Sequence, residues 1–130
     1  MLDDHPIKMP KRIDIVLVVD TDIASDIPSL DITEMPQTVL GGGPILTRNL
    51  VDDHLVFKYL KGLCQKNNIP YQVAMSDGDG GNNLENYNHI SAMGQFIGIP
   101  LRNMHSSIET VSLDDIDNTV ALLKSSFTNI

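Results

Sequence analysis

The sequence predicts an α/β fold, a layered α/β/α sheet whose strands are covered by helices. Two observations indicate it: short apolar, β-branched runs are typical of buried strands, and amphipathic segments of about 12 to 15 residues, typical of helices, alternate with them. A chain of 130 residues suffices for one domain with a single core. We therefore expect residues 1–130 to form one α/β unit, with an irregular N-terminal segment over residues 1–12.

The first predicted element is a strand over residues 13–19, a nearly continuous apolar run of the kind found in strands buried on both faces. It is expected to end at Asp20, which puts a carboxylate at the C-terminal end of the strand. Residues 21–37 are rich in Asp, Ser, Pro and Thr and show little periodicity, which predicts an irregular excursion. A turn of three glycines, residues 41–43, then leads into a second strand over residues 45–47.

The middle of the chain predicts a helix followed by a strand. The acidic pair at residues 52–53 suits a helix N-terminus, and apolar residues recur at helical spacing over residues 55–63. The helix should end near residues 66–68. Pro70 then leads into a strand over residues 71–75.

A further strand and a final helix complete the prediction. The strand covers residues 95–101 and is expected to stop at Pro100. Ser112 is a good N-cap for the last helix, and Asp115 follows it three residues later. The apolar stripe that should face the core consists of Ile116, Val120, Leu123 and Phe127.

Composition excludes several classes of function. The formal net charge of −8 and the nine scattered Lys and Arg residues argue against nucleic-acid or anionic-membrane binding, which needs clustered basic groups. The N-terminus lacks the apolar core of a signal peptide, and no apolar run reaches the roughly 20 residues that span a bilayer. Cys64 is the only cysteine, so an intrachain disulfide is excluded and a cytoplasmic location is expected, with Cys64 as a small buried residue.

The acidic segment that begins at Asp20 is the first candidate site. Ligands of open α/β sheets bind beyond the carboxyl ends of the strands, where Asp20 is expected, with Asp22 and Asp26 as weaker candidates. Acidic residues in such places are also common turn formers and helix caps. The residues alone leave both interpretations open.

His105 is the second candidate, just past the predicted end of another strand. An imidazole with a carboxylate nearby, here Glu109, is a natural arrangement for binding zinc. A lone histidine is also often a structural residue. The glycine-rich segment over residues 77–83 fits neither a calcium loop, whose acid at the twelfth position is missing, nor a phosphate loop, because it lacks lysine.

Four segments, in this order, resemble one family of enzymes. They are VDTDIASDIP at residues 19–28, LGGGP at 40–44, NIPYQ at 68–72 and IPLRNMHS at 99–106. The order is similar to that of the di-metal glutamyl and leucyl aminopeptidases that form dodecameric tetrahedra, some of which are named cellulases. The resemblance runs from about residue 13 to the C-terminus and implies the C-terminal part of a zinc-peptidase catalytic domain.

The resemblance implies roles for particular residues. Asp20 would be a terminal ligand of one divalent ion, zinc or cobalt, and His105 a ligand of the second. Asp79 and Gly80 fall roughly where the family lines its substrate pocket, and Arg102 belongs to the family's Pro-x-Arg motif, so these three are the predicted substrate-binding residues. Peptides would be the substrates, and the complete protein would be a homo-oligomer, in the form of a tetrahedral dodecamer.

The resemblance also implies missing parts. The family's other ligands, and the glutamate that acts as general base, are expected upstream of Met1, so no catalytic residue is assigned within the chain. The acids Asp3 and Asp4 lie too close to Asp20 to replace them. The expected function is a metal-dependent aminopeptidase, present as an incomplete and inactive fragment. The alternative is a non-catalytic remnant that acts as a binding or assembly scaffold.

Overall fold

The structure, a computed structural model, describes residues 12–28, 31, 33, 37–48, 52–75, 91 and 93–128. One sheet and two helices are found in this part of the chain. The elements are β1 (Ile15–Ile23), β2 (Ile45–Arg48), α1 (His54–Lys66), β3 (Gln72–Met75), β4 (Met93–Arg102), β5 (Thr110–Val111) and α2 (Leu113–Thr128). The strands are ordered β1-β4-β2-β3, and β5 pairs with β4.

The sheet is mixed, and the directions of its strands determine which strand ends lie side by side. β1 runs parallel to β4, and β2 runs parallel to β3. β4 is antiparallel to β2 and to the short β5. The helices contact each other and both contact β4, so they cover the same face of the sheet. The predicted α/β class is confirmed, and the carboxyl ends of β1 and β4 lie side by side.

Helix α1 supplies most of the core. Asp53 caps its N-terminus by accepting hydrogen bonds from the backbone N–H groups of Leu55 (2.8 Å) and Val56 (3.0 Å), as the acidic pair predicts. The chain leaves the helix at Asn67, close to the predicted end. The buried core cluster comprises Leu46, Val56, Phe57, Leu60, Leu63, Cys64, Ile69, Ile97 and Leu122. Neither helix is long and apolar enough to cross a bilayer, which holds for the described residues only.

β1 departs from the prediction in length and in burial. It continues to Ile23, because the parallel ladder with β4 extends to the pair Ile23 and Leu101, so Asp20 lies inside the strand and not at its end. The expectation of burial on both faces is also wrong. β1 is the terminal strand of the described sheet, and Val19 is 38% exposed.

Pro100 lies within β4 and does not stop it, contrary to the prediction. The carbonyl of Leu101 accepts a hydrogen bond from Ala24 on the β1 side (2.9 Å), so the nitrogen of Pro100 faces the opposite side of the strand. On that side the β2 pairing ends at Gly98 and the β5 pairing begins at Leu101. The missing N–H of proline therefore interrupts no ladder bond, and the strand continues.

Helix α2 begins where predicted but presents another face to the core. Its buried residues are Asp115, Thr119, Leu122 and Ser126. The predicted apolar stripe is wrong for two of its four residues, because Val120 is 41% and Phe127 is 69% exposed, whereas Ile116 is half-buried and Leu123 packs against the core. The reason is Asp115, whose carboxylate turns inward to bind the backbone of the glycine turn.

The glycine turn at residues 41–43 is confirmed, and its sequence is required by its geometry. Gly41 and Gly43 have φ values of 81° and 88°, in the left-handed region that favours glycine. A Cβ at Gly43 would overlap the carbonyl oxygen of Pro70. The Asp115 carboxylate accepts hydrogen bonds from the N–H groups of Gly41 (2.7 Å) and Gly43 (2.8 Å), which ties this turn to α2.

Candidate metal centre

The candidate site lies where the parallel strands β1 and β4 end, at their carboxyl ends. Asp20 pairs with Gly98 in the parallel register, and Ile23 pairs with Leu101 near the end of both strands. His105 is the third residue after Arg102, the last residue of β4. Asp20 therefore lies three residues before the end of β1 and His105 three residues after the end of β4, on the side where these two parallel strands end together. Ligands of open α/β sheets usually bind beyond such strand ends.

Asp20 presents its carboxylate on the exposed part of β1. Its Oδ1 accepts a hydrogen bond from the N–H of the next residue, Thr21 (2.7 Å), and from the Thr21 hydroxyl (3.4 Å). Both residues are exposed. The carboxylate is thus held by its neighbour in the chain and accessible to solvent.

Asp22 lies two residues further along and so on the same face of the sheet as Asp20. Its Cβ is so close to Gly98 that a Cβ on Gly98 would come to within 2.5 Å of it. Burial raises the pKa of the Asp22 carboxyl, and a hydrogen bond from the Ile23 N–H acts in the opposite direction. Gly98 therefore makes room for a second, half-buried carboxylate beside Asp20.

The loop that carries His105 has an unusual backbone. Asn103 and His105 have φ values of 60° and 63°, a conformation that non-glycine residues seldom adopt. The Ser106 hydroxyl donates to the Asn103 carbonyl (2.6 Å), and the His105 N–H donates to Oε1 of Glu109 (2.7 Å). Glu109 therefore holds the backbone of His105, while the exposed imidazole projects from a constrained loop. Strained backbone of this kind is common at functional sites.

Arg102 forms an ion pair with Asp26. Its Nη2 lies 2.6 Å from Oδ2 of Asp26, and its Nε lies 3.4 Å from Oδ1. The guanidinium lowers the pKa of the Asp26 carboxyl, which also accepts a hydrogen bond from the Leu40 N–H (3.3 Å). The pair joins the segment after β1 to the end of β4, the strand that precedes the His105 loop. The substrate-binding role of Arg102 stays a prediction. What the structure shows for Arg102 is its ion pair with Asp26.

The burial of two polar residues, Asp115 and Gln95, was not predicted from the sequence. Asp115 is completely buried and holds the glycine turn. Gln95 is also completely buried, and its Nε2 donates to the carbonyls of Thr47 (2.8 Å) and Phe96 (2.9 Å). In the sequence, Asp115 looks like an ordinary acidic residue in the first turn of a helix, and Gln95 looks like an ordinary polar residue in a strand. Neither has a signal in the sequence that reveals its burial.

Not all of the residues predicted to be functional lie in the described part of the chain. Asp79 and Gly80 lie outside the described residues, as does the rest of the segment 77–83. Cys64 is buried as predicted, and burial raises the pKa of its thiol to about 11, which suits a packing role.

In the described part of the chain no three His, Cys, Asp or Glu residues form a group that could hold a metal ion. Asp20 and His105 are therefore two donors of suitable chemistry, fewer than the three protein ligands of a catalytic zinc site.

Comparison with known proteins decides the family. Residues 7–122 match the family model of the M42 glutamyl aminopeptidases. This chain belongs to the M42 family. A relative from Acetivibrio thermocellus, described as a putative aminopeptidase, is 34% identical over 116 residues, which is 85% of this chain and 34% of the relative.

Solved M42-type structures have the same fold. An aminopeptidase from the archaeon Desulfurococcus kamchatkensis is 30% identical with a TM-score of 0.72, and the match covers 86% of this chain and 33% of that one. A TET aminopeptidase from a marine sediment archaeon of the Thaumarchaeota is 26% identical with a TM-score of 0.73, covering 86% and 32%. This M42 chain spans about a third of the length of the relatives it matches.

Proposed function

We propose that this chain contributes part of a two-metal centre in an aminopeptidase that removes N-terminal residues from peptides. The observation that carries the proposal is the position of Asp20 on β1 and of His105 on the loop that follows β4, the adjacent parallel strand, in a chain that belongs to the M42 family. An exposed carboxylate and an exposed imidazole are donors that divalent ions such as zinc accept.

Each residue has a distinct part in this proposal. Asp20 would hold one divalent ion, zinc or cobalt, and His105 the second. Two such ions acidify water, polarise the scissile carbonyl and bind a free α-amine. The strained loop held by Glu109 orients the imidazole, and the ion pair of Arg102 with Asp26 keeps that loop next to the end of β1.

The proposal requires residues from the remaining part of the peptidase. A catalytic zinc site needs three protein ligands and water, so the other ligands and the glutamate base would come from outside this chain. Asp79 and Gly80 are proposed to contact the peptide. The complete protein is proposed to act in the cytoplasm as a homo-oligomer, on the strength of its resemblance to the tetrahedral aminopeptidases. The scaffold alternative has no support from the matched relatives.

The test uses the complete enzyme that contains this chain. Asp20→Ala and His105→Ala should each reduce peptide hydrolysis by about a thousandfold or more, because each removes a metal ligand, while the far-UV circular dichroism stays unchanged. His54→Ala is the matched control, since His54 is also an exposed histidine and lies at the start of α1, away from the ends of β1 and β4. Normal turnover in the Asp20 and His105 variants would refute the ligand assignment.

A further inference from the structure

Helix α2 exposes large apolar residues at a regular spacing. Leu113, Val120 and Phe127 are 74%, 41% and 69% exposed. They lie seven residues apart, close to two helical turns, so all three lie along one side of the helix. The buried residues of α2, which include Asp115 and Leu122, lie on the other side. We call Leu113, Val120 and Phe127 the outer row of α2.

The exposed side of α1 has a different composition. Its exposed residues are His54, Leu55, Lys58, Gly62, Gln65 and Lys66. Leu55 is the only large apolar residue among them, so α1 has the polar outer side that is usual for a helix in contact with water. Single apolar residues on a surface are common, whereas aligned ones mark an interaction surface. The outer row of α2 therefore has the composition of a contact surface.

Two opposite charges lie within the outer row. Asp117 follows Leu113 by four residues, and Lys124 follows Val120 by four, and both side chains are exposed. In the described part of the chain neither has an ion-pair partner. Along α2 the order is apolar, acidic, apolar, basic, apolar, at alternating spacings of four and three residues. That spacing is typical of helices that pair along one seam.

This order is complementary to itself when it is reversed. Leu113 and Phe127 are each seven residues from Val120, so in two antiparallel helices Leu113 meets Phe127 of the other copy while the two Val120 residues meet each other. Asp117 then lies opposite Lys124 of the other copy. Because a two-fold axis repeats every contact, the ion pair forms twice. A parallel pair would instead place like charges together.

We infer that α2 pairs with α2 of a second copy of this chain, antiparallel and through the outer row. The row spans about 21 Å of helix. An interface of this length is small, so the dimer is weak and forms at high concentration. The inference deepens the proposed homo-oligomer by naming a contact surface, and it needs neither Asp20 nor His105.

An exchange of the two charges tests the pairing. Sedimentation equilibrium of this chain from about 10 µM to 1 mM should show a monomer–dimer equilibrium. Asp117→Lys places a lysine opposite Lys124 and should weaken the dimer by about tenfold, since two attractions become two repulsions. Lys124→Asp should weaken it by a similar factor. The double variant Asp117→Lys with Lys124→Asp should restore the dissociation constant to within about threefold.

The net charge provides the control. The chain carries a charge of −8, so Asp117→Lys would strengthen association if general repulsion between copies were decisive. Asp114→Lys makes the same change of charge at an exposed residue of α2 outside the outer row, and it should not weaken the dimer. A chain that is monomeric at 1 mM would overturn the inference. Equal weakening by Asp114→Lys and Asp117→Lys, or a double variant that stays weak, would also overturn it.

A disulfide across the two-fold axis tests the geometry. Two cysteines at position 120 would lie within bridging distance of each other, so Val120→Cys should form covalent dimers on mild oxidation. Cys64 is buried and does not compete. Leu55→Cys, at an exposed residue of α1 (66%), should stay monomeric under the same conditions. In the complete enzyme, a cysteine at position 120 that neither cross-links nor reacts with a thiol reagent would mean that another part of the peptidase covers the row, which overturns the inference.

A histidine variant separates this inference from the proposed function. His105→Ala should leave the dimer unchanged, because the imidazole lies outside the outer row. If the charge exchange behaves as expected but the complete enzyme does not need His105, the dimer stands and the metal assignment is wrong. If this chain is monomeric while hydrolysis by the complete enzyme needs His105, the inference fails and the proposed metal centre stands.

Discussion

Asp115→Ala should destabilise this chain far more than a neighbouring substitution of the same kind. The Asp115 carboxylate is completely buried and accepts hydrogen bonds from Gly41 and Gly43. Gly43 is buried, so the loss of its acceptor should cost about 1–3 kcal/mol, whereas the exposed Gly41 can bind water and should cost about 1 kcal/mol or less. The expected decrease in the free energy of unfolding is about 1–4 kcal/mol. Asp115→Asn keeps one acceptor oxygen but turns an NH₂ donor toward the other glycine N–H, so it should restore only part of the lost stability.

Urea denaturation followed by far-UV circular dichroism measures the difference. Asp114→Ala is the matched control, because Asp114 is exposed in the same first turn of α2 and should contribute only the helix-dipole interaction of about 0.3–1 kcal/mol. If Asp115→Ala and Asp114→Ala lowered the free energy of unfolding equally, the Asp115 carboxylate would not be what holds the glycine turn.

Three further predictions concern the ion pair, the glycines and the cysteine. The Asp26 pKa lies below its ordinary value of 3.8 because of Arg102, so the pair's contribution to stability is complete above about pH 4 and is lost as the pH falls through the folded-state pKa. Arg102→Gln should therefore raise the Asp26 pKa in a carbon-detected NMR titration, and an unchanged value would contradict the assignment. Gly43→Ala should destabilise the chain by more than about 2 kcal/mol because of its positive φ and the backbone overlap, whereas Gly62→Ala, in α1 with open space around it, should stabilise it by about 0.5–1 kcal/mol. Opposite signs in urea denaturation are expected, and a tolerated Gly43→Ala would mean that the turn is built differently. Cys64 should react with a thiol reagent only when the chain is unfolded in urea, since burial raises the pKa of its thiol to about 11, and rapid labelling of the folded chain would contradict its burial.

Local patterns were sufficient to predict the elements whose formation depends on neighbours in the chain. Helix α1 begins after an acidic cap and repeats apolar residues at helical spacing, so its bounds were predicted closely. The turn at residues 41–43 was predicted because glycine tolerates a positive φ. These features need no knowledge of distant segments.

The errors arose where distant contacts decide the structure. β1 continues past Asp20 because β4 pairs with it, and the sequence of β1 carries no information about that ladder. The stripe expected on α2 is partly exposed because Asp115 turns the helix toward Gly41 and Gly43, which lie 74 and 72 residues away in the chain. The apolar residues of β1 are exposed because β1 is the terminal strand of the described sheet, and a strand pattern does not specify a strand's place in the sheet.

The metal-ligand roles of Asp20 and His105 stay predictions, and only part of the geometry around these residues could be expected from the sequence. Asp20 and His105 were selected by their places near strand ends and by family resemblance, and the parallel pairing of β1 with β4 is the topology which that selection requires. The ion pair between Asp26 and Arg102 could not be predicted, because 76 residues separate the partners and each has a simpler individual interpretation. The strained backbone of His105 likewise has no signature in the sequence.

The most direct test of the central claim is a crystal structure of the complete enzyme, with anomalous scattering recorded at the absorption edge of its bound zinc or cobalt. Two neighbouring ions are expected, one bound by the Asp20 carboxylate and the other by the His105 imidazole. Ions located away from both side chains, in an enzyme that hydrolyses peptides, would contradict the account.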